Sequence, residues 1–117
     1  MKMEGVLNLV RYMKPRHCLS GYEMLEKEIE RKVCEYARSK GCLAYKFTSP
    51  NRAAVPDRLF IFKKMVWFIE FKAPGKQATV PQQREHSILA THFIDVFVID
   101  DVEKGKFCID MMMAEEP

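Results

Sequence analysis

No stretch of this sequence approaches the roughly 18 consecutive apolar residues that a membrane-crossing helix needs, so no span is expected. The N-terminal residues are basic with a short apolar patch (Val6, Leu7, Leu9, Val10). They lack a long apolar core and a small-residue cleavage site, so no secretory leader is expected and the chain is placed in the cytoplasm of its cell or host. Cysteine is sparse and scattered: Cys18, Cys34, Cys42 and Cys108 form neither a C-x-x-C pair nor a Cys/His group of zinc spacing. They are expected as free thiols serving as small hydrophobes. His17, His86 and His92 share no ligand spacing either and are read as surface or helix-end residues. No repeat or low-complexity tract is present.

What is there is a single-domain length of 117 residues, 48% hydrophobic and 30% charged, enough for one core and too little for two. The net charge of +3 is mild, but its distribution is uneven. Lys46 to Lys76 holds seven basic residues against two acidic ones, whereas Asp95 to the end holds seven acidic against two basic. A polyanion is attracted to the middle of the chain and repelled by its tail. Ordinary solvated charge is the competing reading.

The pattern from Met24 to Lys40 is helical, with Leu25, Ile29, Val33, Tyr36 and Ala37 spaced by three and four, acidic residues early, and Gly41 as the stop. A strand over Cys42 to Phe47 and the turn-rich loop "TSPNRAAVP" follow. Leu59 to Phe62 and Val66 to Phe71 read as a hairpin, and Pro81 opens a second helix reaching about His92. "IDVFVID" is a buried strand, and Lys106 to Ile109 is expected as a short final one after a turn at Gly105. The result is an α/β domain, a mixed sheet flanked by helices in the order αβββαβ plus a short C-terminal strand. Residues 1–22 are read as an arm or extra helix without assignment, 23–110 as the domain, and 111–117 as a tail whose methionines carry no assignable chemistry.

Within the apolar run Val66 to Phe71 sits Glu70. It shares a strand face with Lys72, and Trp67, Ile69 and Phe71 share the other. A strand apolar on both faces is covered, and an ionised carboxylate there costs several kcal/mol unless paired or metal-bound. Lys72 offers a salt bridge. Asp57, just before the preceding strand, offers instead a second carboxylate, since residue 70 of the hairpin lies opposite roughly residue 58. A divalent cation would relieve the repulsion between two such neighbours. Glu26 falls on the inward stripe of the first helix and is a third candidate acid, with capping as its ordinary role; Glu30 lies at the stripe's border and Glu28 points outward.

The ordered set Glu26, Pro56-Asp57, Glu70-x-Lys72 and Gln83, on helix, strand, strand and helix, resembles the PD-(D/E)xK nuclease superfamily. Within it the chain is similar to the virus-type replication-repair nuclease (VRR-NUC) family, over about residues 24 to 110. The resemblance implies a restriction-endonuclease-like core and Mg²⁺ or Mn²⁺ ligated by Asp57, Glu70 and the main-chain carbonyl of Phe71. Glu26 would hold a second metal or a water on the first, and Lys72 would orient or deprotonate the attacking water. Gln83, favoured by the family's spacing over Gln82, would position the site. Lys46, Asn51, Arg52, Arg58 and Lys76 are candidate DNA contacts. The chain is expected as a stand-alone, phage-like homodimer cutting four-way junctions symmetrically, a Holliday-junction resolvase in bacterial or phage-infected host cytoplasm. A flap or nicking endonuclease and a non-cutting DNA-binding module that needs a partner are the alternatives.

Overall fold

The computed structural model describes residues 25–115; the expected N-terminal arm lies outside them. Helix α1 spans Glu26–Ser39, strand β1 Leu43–Lys46, β2 Arg58–Phe62, β3 Met65–Phe71, helix α2 Val80–Thr91, β4 Asp95–Ile99 and helix α3 Val102–Ala114. The four strands form one sheet in the order β1-β2-β3-β4, antiparallel across the first two pairs and parallel across the third. The parallel pair needs a crossover connection, which α2 supplies.

Local chemistry fixes these boundaries. Gly41 (φ 89°) ends α1, with Gly41 N–H donating to Arg38 O and Cys42 N–H to Ala37 O, a Schellman stop. The β2–β3 hairpin turns through Lys63 and Lys64, and Phe62 pairs with Met65. At the start of α2, the Thr79 side chain accepts from Gln82 N–H and the Gln82 side chain accepts from Thr79 N–H, forming a capping box.

Ile29, Val33, Cys34 and Ala37 of α1 face Phe60, Trp67, Ile69, Phe71, Phe97 and Ile99 of the sheet, all buried. Phe60 and Trp67, partners in the register, stack with centroids 5.8 Å apart. Cys34, Cys42 and Cys108 are free and buried as small hydrophobes, with burial pushing the Cys42 thiol up to about 11.

The C-terminal element corrects the sequence reading. Lys106 to Ile109 is not a strand but the middle of α3. Asp101 caps that helix through Lys104 N–H, and Cys108, Ile109 and Met112 recur at helical spacing on the core side. Gly105, expected as a turn, lies inside the helix where it crosses α1; a Cβ there would overlap the Val33 side chain. The methionine run belongs to the same packing, with Met112 fully buried and Met111 and Met113 partly so.

Among the described residues no helix is long and apolar enough to cross a membrane.

Candidate active site

The second face of the sheet carries the carboxylates. Arg58 pairs with Ile69, so Asp57 falls one rung further, beside Glu70, and Glu70 in turn pairs with Val98. Fully buried Pro56 anchors the chain ahead of Asp57, whose carbonyl accepts from Phe47 N–H at 2.9 Å. The Asp57 carboxylate accepts from Phe71 N–H at 2.8 Å, which ties it across to the strand that carries Glu70. The hairpin therefore brings the two acids together as their spacing predicts.

Glu70 is 3% exposed. Its Oε2 accepts from Gln82 Nε2 at 3.0 Å, while its Oε1 is buried without a hydrogen-bond partner among the described residues. His86 Nε2 stands 3.8 Å from that oxygen, also buried and unpartnered among them, too far for a hydrogen bond. Burial raises the Glu70 pKa above the ordinary carboxylate value; the His86 imidazole opposes the rise, the Asp57 charge adds to it, and Lys72 opposes it. Lys72 acts through space, for it makes no ion pair with Glu70 within 4 Å; its backbone N–H continues the parallel ladder by donating to Ile99 O. The simple salt bridge between these two residues is thus absent.

The glutamine beside Glu70 is Gln82. Its amide oxygen closes the capping box while its amide nitrogen holds Glu70, so the side chain is fixed at both ends. Gln83, one residue along the helix and so rotated by about 100°, donates instead to Ala78 O at 2.8 Å.

Glu26 does not point inward. It is exposed at the first position of α1, where Leu25 is also 65% exposed: the helix begins a turn before its buried stripe, so the correct angular direction meets solvent. Glu30, half-buried, is held by Arg58 Nε at 2.6 Å and by Lys46 at 3.7 Å.

The expected DNA contacts divide in the same way. Arg52 grips Glu85 of α2 through Nε and Nη2 (2.7 Å to Oε1), which clamps the loop before Pro56 onto the helix. Arg52 in turn holds the Glu85 carboxyl below its usual range. Asn51 accepts from Ser49 Oγ, and Lys76 is exposed. The loop after Lys72 is anchored by buried Asp100, which accepts from Gly75 N–H at 3.1 Å and from Lys104 Nζ at 2.9 Å.

Two features escaped the sequence reading. His86 faces Glu70 rather than solvent, and its signal was the i, i+4 spacing from Gln82 on one helix face. Buried Glu85 and its clamp on Arg52 had no sequence signal, because the partners lie 33 residues apart.

Among the described residues, no group of three or more His, Cys, Asp and Glu side chains is placed to hold a metal. Two carboxylates, one of them presenting an orphaned, buried oxygen, nonetheless suit a hard cation that completes its shell with carbonyl, water or phosphate oxygens, as Mg²⁺ does. The donor set fits.

No family model matches the chain. It is 42% identical over 76 residues to a protein of Acyrthosiphon pisum secondary endosymbiont phage 1 named "Putative nuclease p44", an alignment spanning 64% of this chain and 82% of the relative. A solved VRR_NUC domain superposes with a TM-score of 0.67 at 25% identity, covering 73% of this chain and 94% of that domain. The chain belongs to the VRR-NUC family. The carboxylate pair of this VRR-NUC fold lies at the carboxyl end of β3 and the start of β2, where the loop entering β2 is anchored by Arg52–Glu85 and the loop leaving β3 by Asp100–Gly75.

Proposed function

We propose that this VRR-NUC chain is a metal-dependent, structure-specific DNA endonuclease, a homodimeric Holliday-junction resolvase acting in bacterial or phage-infected host cytoplasm. The observation that carries the chemistry is the buried Glu70 oxygen that has no partner among the described residues and lies beside Asp57. The phage relative's name and the VRR_NUC superposition support the reaction class.

Asp57, Glu70 and the Phe71 carbonyl would hold Mg²⁺ or Mn²⁺, which when bound supplies Lewis acidity toward a phosphate oxygen and lowers the pKa of water. Gln82 holds the Glu70 carboxylate in orientation. The Lys72 ammonium, on the same strand face as Glu70 and without an ion pair to it, would orient the attacking water and offset charge developing on the scissile phosphate. Lys76 would contact a flanking phosphate, as would Lys46 and Arg58 beyond their shared Glu30, and Arg52, paired with Glu85, would shape the loop that carries Asn51 toward the DNA. Two copies related by a two-fold axis would cut a junction symmetrically.

The test is cleavage of a labelled four-way junction beside linear duplex, flap and single-stranded DNA, with Mg²⁺ or Mn²⁺, comparing the unaltered chain with Glu70→Gln and Lys72→Ala. Paired symmetric cuts that disappear in both variants support the reading. Cutting of flaps alone would replace the resolvase by a flap endonuclease, and tight binding without any cut would point to a module that needs a partner.

A further inference from the structure

A second basic feature lies on the other face of the sheet. Lys27, Arg31 and Arg38 fall within about 60° of one another on α1 and span about 16 Å of its length. Together with Lys46 and Arg58 they line a cleft of about 310 Å³. Lys46 and Arg58 are partners in the last rung of the β1–β2 ladder, and Arg58 directly follows Asp57. The cleft therefore opens at the strand end that carries the candidate active site, along the sheet edge formed by β1.

Its charge is not balanced internally. Glu30 is shared by Arg58 and Lys46, and Glu35 pairs with Arg31 at 3.1 Å. Among the described residues Lys27 makes no ion pair, and Arg38 donates only to Ala44 O at 2.9 Å, a neutral carbonyl. Two acids thus face five cations in one concave site. The convergence is felt at the floor, where Glu30 opposes it only in part. Buried Cys34, whose thiol pKa burial raises, is pulled the other way by Arg58, Arg38 and Lys46 together. Cations of one sign gathered in a concavity favour an anion with closely spaced charges.

We propose that this cleft is a docking site for the phosphodiester backbone of duplex DNA, which leads one arm of the substrate around the β1 edge to the carboxylate centre; the proposal rests on the nuclease reading. At one phosphate per about 3.4 Å of axis on each strand, the basic stripe of α1 spans about five nucleotides of one strand. The site reads backbone and carries no base specificity. It would select a duplex arm by its position relative to the cut.

The experiment measures binding of a labelled duplex, without divalent metal, at several salt concentrations. The exposed pair Lys27→Glu/Arg31→Glu is compared with Lys63→Glu/Lys64→Glu, an equal charge change at the hairpin turn on the far end of the sheet. Neutral Lys27→Gln/Arg31→Gln with a matched melting temperature guards against misfolding. The cleft pair is expected to weaken binding at least about 10-fold and to reduce the salt slope by about 0.9 for each phosphate that is no longer neutralised. The neutral pair is expected to fall between, and the turn pair to change little. Unchanged affinity and slope in the cleft pair, or an equal effect in the turn pair, would overturn the site. Hydrolysis of thymidine 5′-(4-nitrophenyl phosphate) by the unaltered chain with Mn²⁺ tests the nuclease reading separately, because so small a diester needs no docking cleft.

Discussion

Glu70 is the residue on which the proposed chemistry and the stability of this chain pull in opposite directions. Its folded pKa is raised by burial and by Asp57. The folded state therefore binds protons more readily than the unfolded one, so the native state is favoured below the unfolded carboxylate pKa and loses stability as pH rises through the raised value. In metal-free protein, Glu70→Gln is expected to raise the melting temperature by a few degrees at neutral pH, with the gain vanishing below about pH 4. Melting followed across pH checks the sign; a lower melting temperature at neutral pH would contradict it. Mg²⁺ or Mn²⁺ should raise the melting temperature of the unaltered protein and leave the variant unmoved. Gln82 provides a second test at this scale. Gln82→Ala is expected to cost about 10-fold or more in metal affinity or cleavage, as removal of a group orienting a ligand does, whereas Gln83→Ala costs little. The sequence placed a glutamine here, but two adjacent side chains differ only by helix rotation. That choice was made by the capping box at Thr79.

At the scale of elements, the crossing of α1 and α3 governs stability. Gly105 lets the two helices approach until the Val33 side chain fills the space of its missing Cβ. Gly105→Ala, a helix-favouring change in isolation, is expected instead to destabilise by about 1–3 kcal/mol through overpacking. Denaturant unfolding measures it, and a gain in stability would show that the helices part easily. The same element explains why its sequence misled. Lys106 to Ile109 has too few residues to show periodicity, and a glycine in front of it resembles a turn. The Asp101 cap and the burial of Cys108, Ile109 and Met112 against α1 make it a helix.

At the scale of the whole molecule, the proposed resolvase activity needs two centres. Sedimentation is expected to give twice the 13.7 kDa chain mass, and a monomer under cleavage conditions would contradict the symmetric cut. The sequence by itself determined the order of helices and strands through β4, because apolar periodicity and turn residues act locally. It also determined the pairing of Asp57 with Glu70, because a short hairpin fixes register. Tertiary structure alone decided the rest. It drew Arg52 onto Glu85, turned His86 toward Glu70, left Glu26 in solvent and gathered the α1 cations beside β1. Those outcomes depend on where one helix ends against a sheet and on contacts between distant segments; of them only the His86 direction left a local trace, its i, i+4 spacing from Gln82, and even that does not name the sheet residue it meets.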